Sequence, residues 1–396
     1  MSCIYQVDTM RRSCGFFLQV IVALFLSNLC AAQRIQVDYS ACDLMYNVLG
    51  TMKAGAERTE ISRLIDSVLD TKPYQIMFKH YNRDWRPNHL PSRVFKQMIL
   101  SLGFQGEYTH GENQRADQML PRWKVFYDDL PRFARNLRDL QKTNLTILVE
   151  NCVHSAQSWL PPEWRIPDVY LFIIPNGGSP AFVIESVQGY DFFQLPRDSS
   201  GTVNWSDLAT TISHESHHLG MKGTITGKMS SPDSVAYKFL TLFIGEGTAI
   251  KFINDYPGGC IPVADESRRD TSFDRGEIGK WWHRYTSEES TLFARLVETF
   301  EKAYSGKLTA TELNTETGQF WLNGFVSPVY FVGAELFGAI YHAHGKEGAF
   351  TAMRDPRKIF LLYNDAIKKR ADILGSCYAI PDSSVQHALA IGTSRQ

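Results

Sequence analysis

The stretch that most constrains this chain is T-T-I-S-H-E-S-H-H-L-G at Thr210–Gly220. It places His214 and His218 four residues apart, and residues at this spacing on an α-helix lie one above the other on the same face. Two imidazole rings held in this way can bind one cation from a single rigid element. The segment is therefore predicted to be a metal-binding helix.

Glu215 directly follows the first histidine of this pair. Its side chain lies too far round the helix to bind the same ion well, but it can reach a water in an open coordination position. Zn²⁺ lowers the pKa of such a water, and a carboxylate can then take its proton. The pattern predicts a zinc hydrolase, most directly a peptidase, with Glu215 as general base and then general acid. His217 points to another face and is expected at the surface or in a supporting position.

The flanking residues predict where this helix begins and ends. Asn204 or Ser206 can cap its start, Asp207 suits the first turn, and Gly220 is a natural stop. The predicted helix thus carries both histidines near its carboxyl end.

A third ligand is expected downstream, in G-E-G-T-A at Gly245–Ala249. Glu246 lies inside the mostly apolar segment Ser234–Asn254, where an unpaired carboxylate is costly to bury and a metal ion is one way to pair it. Glu246 is therefore predicted to complete a site for one zinc ion per chain. Asp233 and Asp255 are the alternative ligands.

These motifs resemble those of a known class. His214-Glu215-Ser216-His217-His218 followed by Glu246-Gly247-x-Ala249 is similar to the gluzincin class of zinc metallopeptidases. In that class a glutamate in such a box completes a site of two histidines and one glutamate. The arrangement also resembles an uncharacterised group of proposed zinc-dependent peptidase domains.

The resemblance extends to Tyr330-Phe-Val-Gly333 and the later stretch Gly345–Phe350. Both are similar to the tyrosine box and downstream helix of the membrane-alanyl-aminopeptidase branch. The resemblance covers Val169–Asn254 and Ser327–Asn364, and it implies that Tyr330 stabilises the oxyanion. The alternative is that this tyrosine only packs against the sheet.

Two features of this chain depart from the motifs of the branches that it resembles. The Gly-x-Met-Glu-Asn stretch, which holds the free amino end of the substrate in the aminopeptidase branch, is absent upstream of His214. In the thermolysin branch an aspartate four residues after the glutamate ligand orients one histidine, whereas this chain has Ile250 there. A metal-bound histidine usually donates its second nitrogen to an acceptor, so another residue must orient it.

Composition limits the choice of partners. With 396 residues and 44% apolar residues, the chain can bury one large core or two medium cores. Its formal net charge of -1, without long runs of one sign, argues against nucleic acid as a main partner. A peptide or protein substrate is the expected partner.

The first 32 residues have the pattern of a signal peptide. Arg11 and Arg12 precede the apolar stretch Phe16–Leu26, and Cys30-Ala31-Ala32 offers a cleavage site before Gln33. The apolar stretch is short for a membrane span. The mature chain is therefore expected to be secreted, without stable membrane association, and an uncleaved membrane anchor is the alternative.

Cysteines and glycosylation motifs agree with export. The mature chain has four cysteines: Cys42, Cys152, Cys260 and Cys377. They can form two disulfides in three pairings, and buried free thiols are the alternative. Asn144-Leu-Thr146 and Asn204-Trp-Ser206 are glycosylation acceptors, which makes a glycoprotein the expectation.

Hydrophobic periodicity predicts the elements. Helices are expected at Arg58–Leu69, Ser92–Leu102, Leu130–Leu140, Glu277–Tyr304 and Val329–His344, the last followed by a turn at Gly345 and by Gly348–Met353. Strands are expected at Leu145–Val149, Val169–Ile174 and Ala181–Val187, with a turn at Pro175–Pro180. An edge of this sheet could pair with an extended peptide, or the sheet could simply support the helix.

The prediction is a two-lobed, mostly helical α+β protein with a small mixed sheet packed on the zinc-binding helix. The expected regions are a signal peptide at 1–32, a helical region at 33–142, the sheet and zinc-binding helices at 143–260, and a helical region at 261–396 that completes the cleft. Two other functions stay open. One is a zinc hydrolase of a non-peptide amide or ester, and the other is a secreted binding protein without catalysis, against which the intact Glu215 argues.

Overall fold

The computed structural model describes residues 33–393, apart from 84, 85, 87, 222–228, 259–275, 325, 375 and 376. The predicted signal peptide lies outside these ranges. None of the helices within them is long and apolar enough to cross a membrane.

The first part of the chain is a helical layer. Its seven helices are α1 Ser40–Lys53, α2 Arg58–Leu69, α3 Lys72–Tyr81, α4 Ser92–Leu100, α5 Gln114–Asp128, α6 Leu130–Lys142 and α7 Leu145–Ser158. The predicted bounds of α2 are confirmed, and α4 and α6 begin where the sequence predicted. Aromatic side chains fill the interior of this layer, where Trp123 packs against Phe95 and Phe193.

A four-stranded sheet packs against this layer. Its strands are β1 Ile35–Asp38, β2 Val169–Ile174, β3 Ala181–Ile184 and β4 Val187–Asp191. They lie in the order β1-β2-β4-β3; β1 and β4 both run parallel to β2, and β3 runs antiparallel to β4. The sheet is therefore mixed, as predicted, and β3 forms the edge nearest the later helices.

Two strand predictions need correction, and strand β1 was not predicted. Leu145–Val149 was expected to be a strand but begins helix α7, because Asn144 caps it and its buried residues recur at helical spacing. Ala181–Val187 is not one strand: the chain turns at Glu185, whose φ is 55°, and returns as β4. The region 33–142, predicted as a helical region, also supplies strand β1, which pairs with β2.

The remaining helices pack on one another and on the sheet. They are α8 Trp205–Gly220, α9 Ser231–Thr248, α10 Glu277–Ser287, α11 Glu289–Tyr304, α12 Ala310–Glu316, α13 Pro328–Arg354, α14 Ile359–Lys369, α15 Ala371–Leu374 and α16 Asp382–Ala390. The predicted turn at Gly345 is confirmed as a break inside α13, with φ 63° and ψ -163°. The chain is thus mostly helical with one small mixed sheet, which confirms the predicted fold class.

Cysteine pairing differs from the two-disulfide expectation. Cys42 and Cys152 are buried free thiols, and the Cys42 Sγ donates to the backbone oxygen of Ile173 at 3.2 Å. Cys377 is disulfide-bonded, and Cys260 lies outside the described residues. Burial in α1 and α7 removes the first two cysteines from reach of any exposed partner.

Candidate metal centre

Helix α8 carries the histidine pair on a fixed support. Of the two predicted caps, Asn204 is the one used, and its side chain accepts from the backbone nitrogen of Asp207 at 3.3 Å. Ser216 lies on the buried face of the helix and accepts a hydrogen bond from Gln188 of β4 at 2.8 Å. The helix is thereby held against the sheet, and the opposite face presents the histidines.

The structure brings the three predicted ligands together. The Nε2 atoms of His214 and His218 lie 3.0 Å apart. The Oε2 atom of Glu246, from α9, lies 3.5 Å from each of them. In the described part of the chain, these three residues are the group of His, Cys, Asp and Glu side chains able to hold a metal ion, and neither Asp233 nor Asp255 belongs to it.

The triangle of donor atoms fits a zinc ion. Zinc binds these ligand types at about 2.0–2.1 Å, which places tetrahedral ligand atoms about 3.3–3.4 Å apart. The observed separations of 3.0, 3.5 and 3.5 Å lie close to that value. Glu246 Oε2 is also buried without a hydrogen-bond partner among the described residues, which is costly for a carboxylate. A cation between the three side chains would satisfy that oxygen.

Opposite charges in this cluster shift its pKa values in opposite directions. Burial by itself would raise the pKa of Glu246, but the imidazole of His218 holds it well below its usual range. Burial would likewise lower the pKa of His218, whereas the Glu246 carboxylate raises that pKa to about 9. The site therefore favours one negative charge close to positive charge, as a cation site requires.

Asn254 contacts His214 and can orient its ring, a role for which the sequence analysis had found no residue. The Nδ1 atom of His214 donates to the Oδ1 atom of Asn254 at 2.7 Å. This contact places the proton on Nδ1 and leaves the Nε2 lone pair free to bind a metal. A π-helical turn at Ala249–Ile253 extends α9 up to this residue. Sequence reasoning missed Asn254, although a polar residue that ends the apolar segment was the available signal.

Glu215 lies on the same helix between the two histidines and is partly buried. Burial raises its pKa, and the nearby His218 and His214 act in the opposite direction. The Nε2 atom of His217, in contrast, lies 3.3 Å from the backbone oxygen of Trp159, the residue that follows helix α7. His217 is buried, so the expected surface position is wrong, and the supporting position stays a prediction.

Two glycines bring Tyr330 to the site. Helices α9 and α13 cross at Gly247 and Gly333, and a Cβ atom on Gly333 would lie 2.5 Å from the Cα atom of Gly247. The two helix backbones therefore approach each other more closely than a side chain at either position would allow. Tyr330 lies one turn before Gly333, and its pKa is raised well above the usual value by burial and then by the Glu246 and Glu215 carboxylates. The tyrosine therefore lies within electrostatic reach of both glutamates.

A cavity of about 340 Å³ opens beside the metal ligands. We call it the α9 cavity; it is lined by His218, Lys238, Phe239, Thr241, Leu242, Gly245, Glu246, Leu313, Asn314, Thr317 and Leu322. Its volume lies within the usual range for ligand pockets. A separate feature is the edge strand β3, where the guanidinium of Arg83 donates to the backbone oxygen of Val183. The charge of Arg83 also acts on Glu215, so this edge lies near the site.

Two histidines one turn apart and a glutamate on the next helix match the ligand pattern of the class of metal centres with two histidines and one carboxylate. The carboxylate directly after the first histidine is the feature typical of zinc hydrolases within that class. The chain belongs to the DUF5700 family, whose description reads "putative zinc dependent peptidase" and whose model matches residues 65–372. All three candidate ligands lie inside the matched range. No curated protein and no solved structure matches the chain significantly.

Proposed function

We propose that this chain is a zinc-dependent peptidase that binds one zinc ion per chain through His214, His218 and Glu246. The observation that carries the proposal is the convergence of three donor atoms, one of them a buried carboxylate oxygen without a hydrogen-bond partner among the described residues. The family description supports zinc and a peptide substrate. It also favours a peptide over the non-peptide amide or ester that the sequence left open.

Each residue of the site has a role in the proposed mechanism. A bound zinc ion would supply Lewis-acid polarisation and lower the pKa of a water. Glu215 takes the proton of the attacking water and later gives it to the leaving amine. Tyr330 donates a hydrogen bond to the oxyanion that forms on the acyl carbon. Asn254 keeps the proton of His214 on Nδ1, so the ring presents its unprotonated nitrogen to the metal.

Export is part of the proposal. The charged and apolar pattern of residues 1–32, with small residues before Gln33, supports removal of a leader and secretion of the chain that follows. Amino-terminal sequencing of the secreted protein tests this: a mature end at Gln33 is expected. Retention of the leader in a membrane fraction would instead favour the anchor.

Metal content is the direct test of the site. We expect elemental mass spectrometry to find about one zinc per chain in the protein that begins at Gln33, and far less in Glu246→Ala. Asp255→Asn is the matched control, because Asp255 is an acidic residue close in sequence but outside the cluster, and this variant should retain zinc. A wild-type protein that neither carries nor takes up zinc would overturn the proposal.

Activity tests the role of Glu215 separately. Glu215→Gln should retain zinc and lower kcat for peptide cleavage by about 10² to 10⁴-fold, the usual contribution of a general base. Parallel assays with ester and non-peptide amide substrates decide the substrate class. Full activity of Glu215→Gln would contradict the mechanism even if zinc is bound.

A further inference from the structure

The α9 cavity extends away from the metal ligands along one helix. Glu246 and Gly245 lie at its inner end, Leu242 lies one turn earlier in α9, and Lys238 lies one further turn away. His218 borders the same inner end. A substrate whose scissile carbonyl lies at the metal ligands could therefore continue into this cavity.

The middle of the cavity is apolar. Phe239 and Leu242 line it from α9, and Leu313 and Leu322 line it from the region of α12. Phe239 and Leu313 are almost completely buried, so these walls are firmly packed. Apolar walls gain free energy by covering apolar groups of a ligand, which favours apolar substrate side chains in this part.

The outer end is positively charged. The Nζ atom of Lys238 donates to the Oδ1 atom of Asn314 at 2.8 Å, and its side chain is exposed. An ammonium group has three N–H donors, and with Asn314 as its acceptor in the described part of the chain, two donors remain for a ligand. Because Asn314 is a neutral amide, the charge of Lys238 has no counter-ion among the residues that the structure describes. An anionic group at the outer end would be favoured.

The length of the cavity limits what fits between these two ends. Lys238 and Glu246 are eight residues apart on α9, which corresponds to about 12 Å along a helix. An extended peptide spans about 3.3–3.6 Å per residue, and a charged hydrogen bond adds about 2.8 Å. Two or three residues beyond the scissile bond would therefore bring a carboxylate to Lys238.

We propose that the α9 cavity binds the carboxyl-terminal end of a peptide, with apolar side chains against its walls and the terminal carboxylate on Lys238. The enzyme would then release di- or tripeptides from free carboxyl ends. One water is consumed: the peptide C–N bond breaks, a C–O bond forms on the acyl carbon, and the leaving amine gains a proton. This inference rests on the proposed peptidase function and adds its substrate class.

A binding measurement tests recognition of the carboxyl-terminal end without peptide cleavage. In the Glu215→Gln background, calorimetric titration compares an acetylated hexapeptide ending in Leu-Phe as free acid with the same peptide as carboxyl-terminal amide. The free acid should bind about fivefold more tightly, as expected for an exposed ion pair. Lys238→Met should abolish this preference, and Lys307→Met, which removes another exposed lysine outside the cavity lining, should retain it.

Equal binding of the free acid and the amide, or binding of neither peptide, would overturn the inference. The proposed function would not be affected by this result, because zinc content and peptide cleavage test it separately. A product assay adds a second readout on the active enzyme. Mass spectrometry should find the free acid shortened by two or three residues and the amide cleaved more slowly. Equal cleavage of both peptides, or cleavage only at interior bonds of long peptides, would also overturn it.

Discussion

The two halves of the candidate metal centre are built in different ways. His214, Glu215 and His218 lie within five residues on α8, so the geometry of one helix sets their relative positions. Glu246 and Tyr330 come from two helices that cross at a pair of glycines, and they meet the first half only through packing. The local half can form wherever the helix forms, whereas the second half depends on the crossing of α9 and α13.

Among variants that test this comparison of the two halves, the largest effect is expected for Tyr330→Phe, which removes one hydroxyl from the second half. Loss of a single oxyanion donor should lower kcat by about 10² to 10³-fold and leave zinc content unchanged. Tyr341→Phe on the same helix is the control, because Tyr341 is exposed and packs against Trp159. Rates of Tyr330→Phe within about twofold of wild type would favour the alternative that this tyrosine only packs.

A smaller effect is expected for Asn254→Ala, which removes the hydrogen-bond acceptor that orients His214 in the local half. Without the acceptor for Nδ1 of His214, zinc affinity should fall by about 10 to 100-fold, measured by competition with a chelator. Asn254→Asp keeps an acceptor at that position and should restore most of the affinity. If both variants bind zinc as wild type does, the local half needs no partner beyond helix α8.

The smallest effect is expected for a substitution at the crossing of helices α9 and α13. Gly333→Ala places a Cβ atom 2.5 Å from the Cα atom of Gly247 and should lower the free energy of unfolding by about 1–3 kcal/mol. Gly50→Ala in α1 is the matched control: a Cβ there meets nothing within 4 Å, so it should raise stability by about 0.4–1 kcal/mol. Urea unfolding gives both values, and a neutral Gly333→Ala would show that the crossing can relax.

Parts of several helices could be predicted from periodicity. The bounds of α2, the start of α6 and the break of α13 at Gly345 follow from local pattern and local backbone preference. Leu145–Val149 shows the limit of that method, because a short apolar run fits a strand or a buried helix equally well. Its cap at Asn144 and its packing in the helical layer decided the outcome.

The sequence alone determined the histidine pair, Glu215 and Glu246 as candidates, because helix spacing and the cost of burying a carboxylate are readable without knowing the neighbours. The tertiary structure decided which residues meet them. Asn254 is 40 residues from His214 along the chain, and Gly333 reaches Gly247 only when α9 and α13 pack together. The α9 cavity likewise combines α9 with residues around α12. Such contacts depend on how the helices pack as whole bodies, and no local pattern in one segment specifies its distant neighbour.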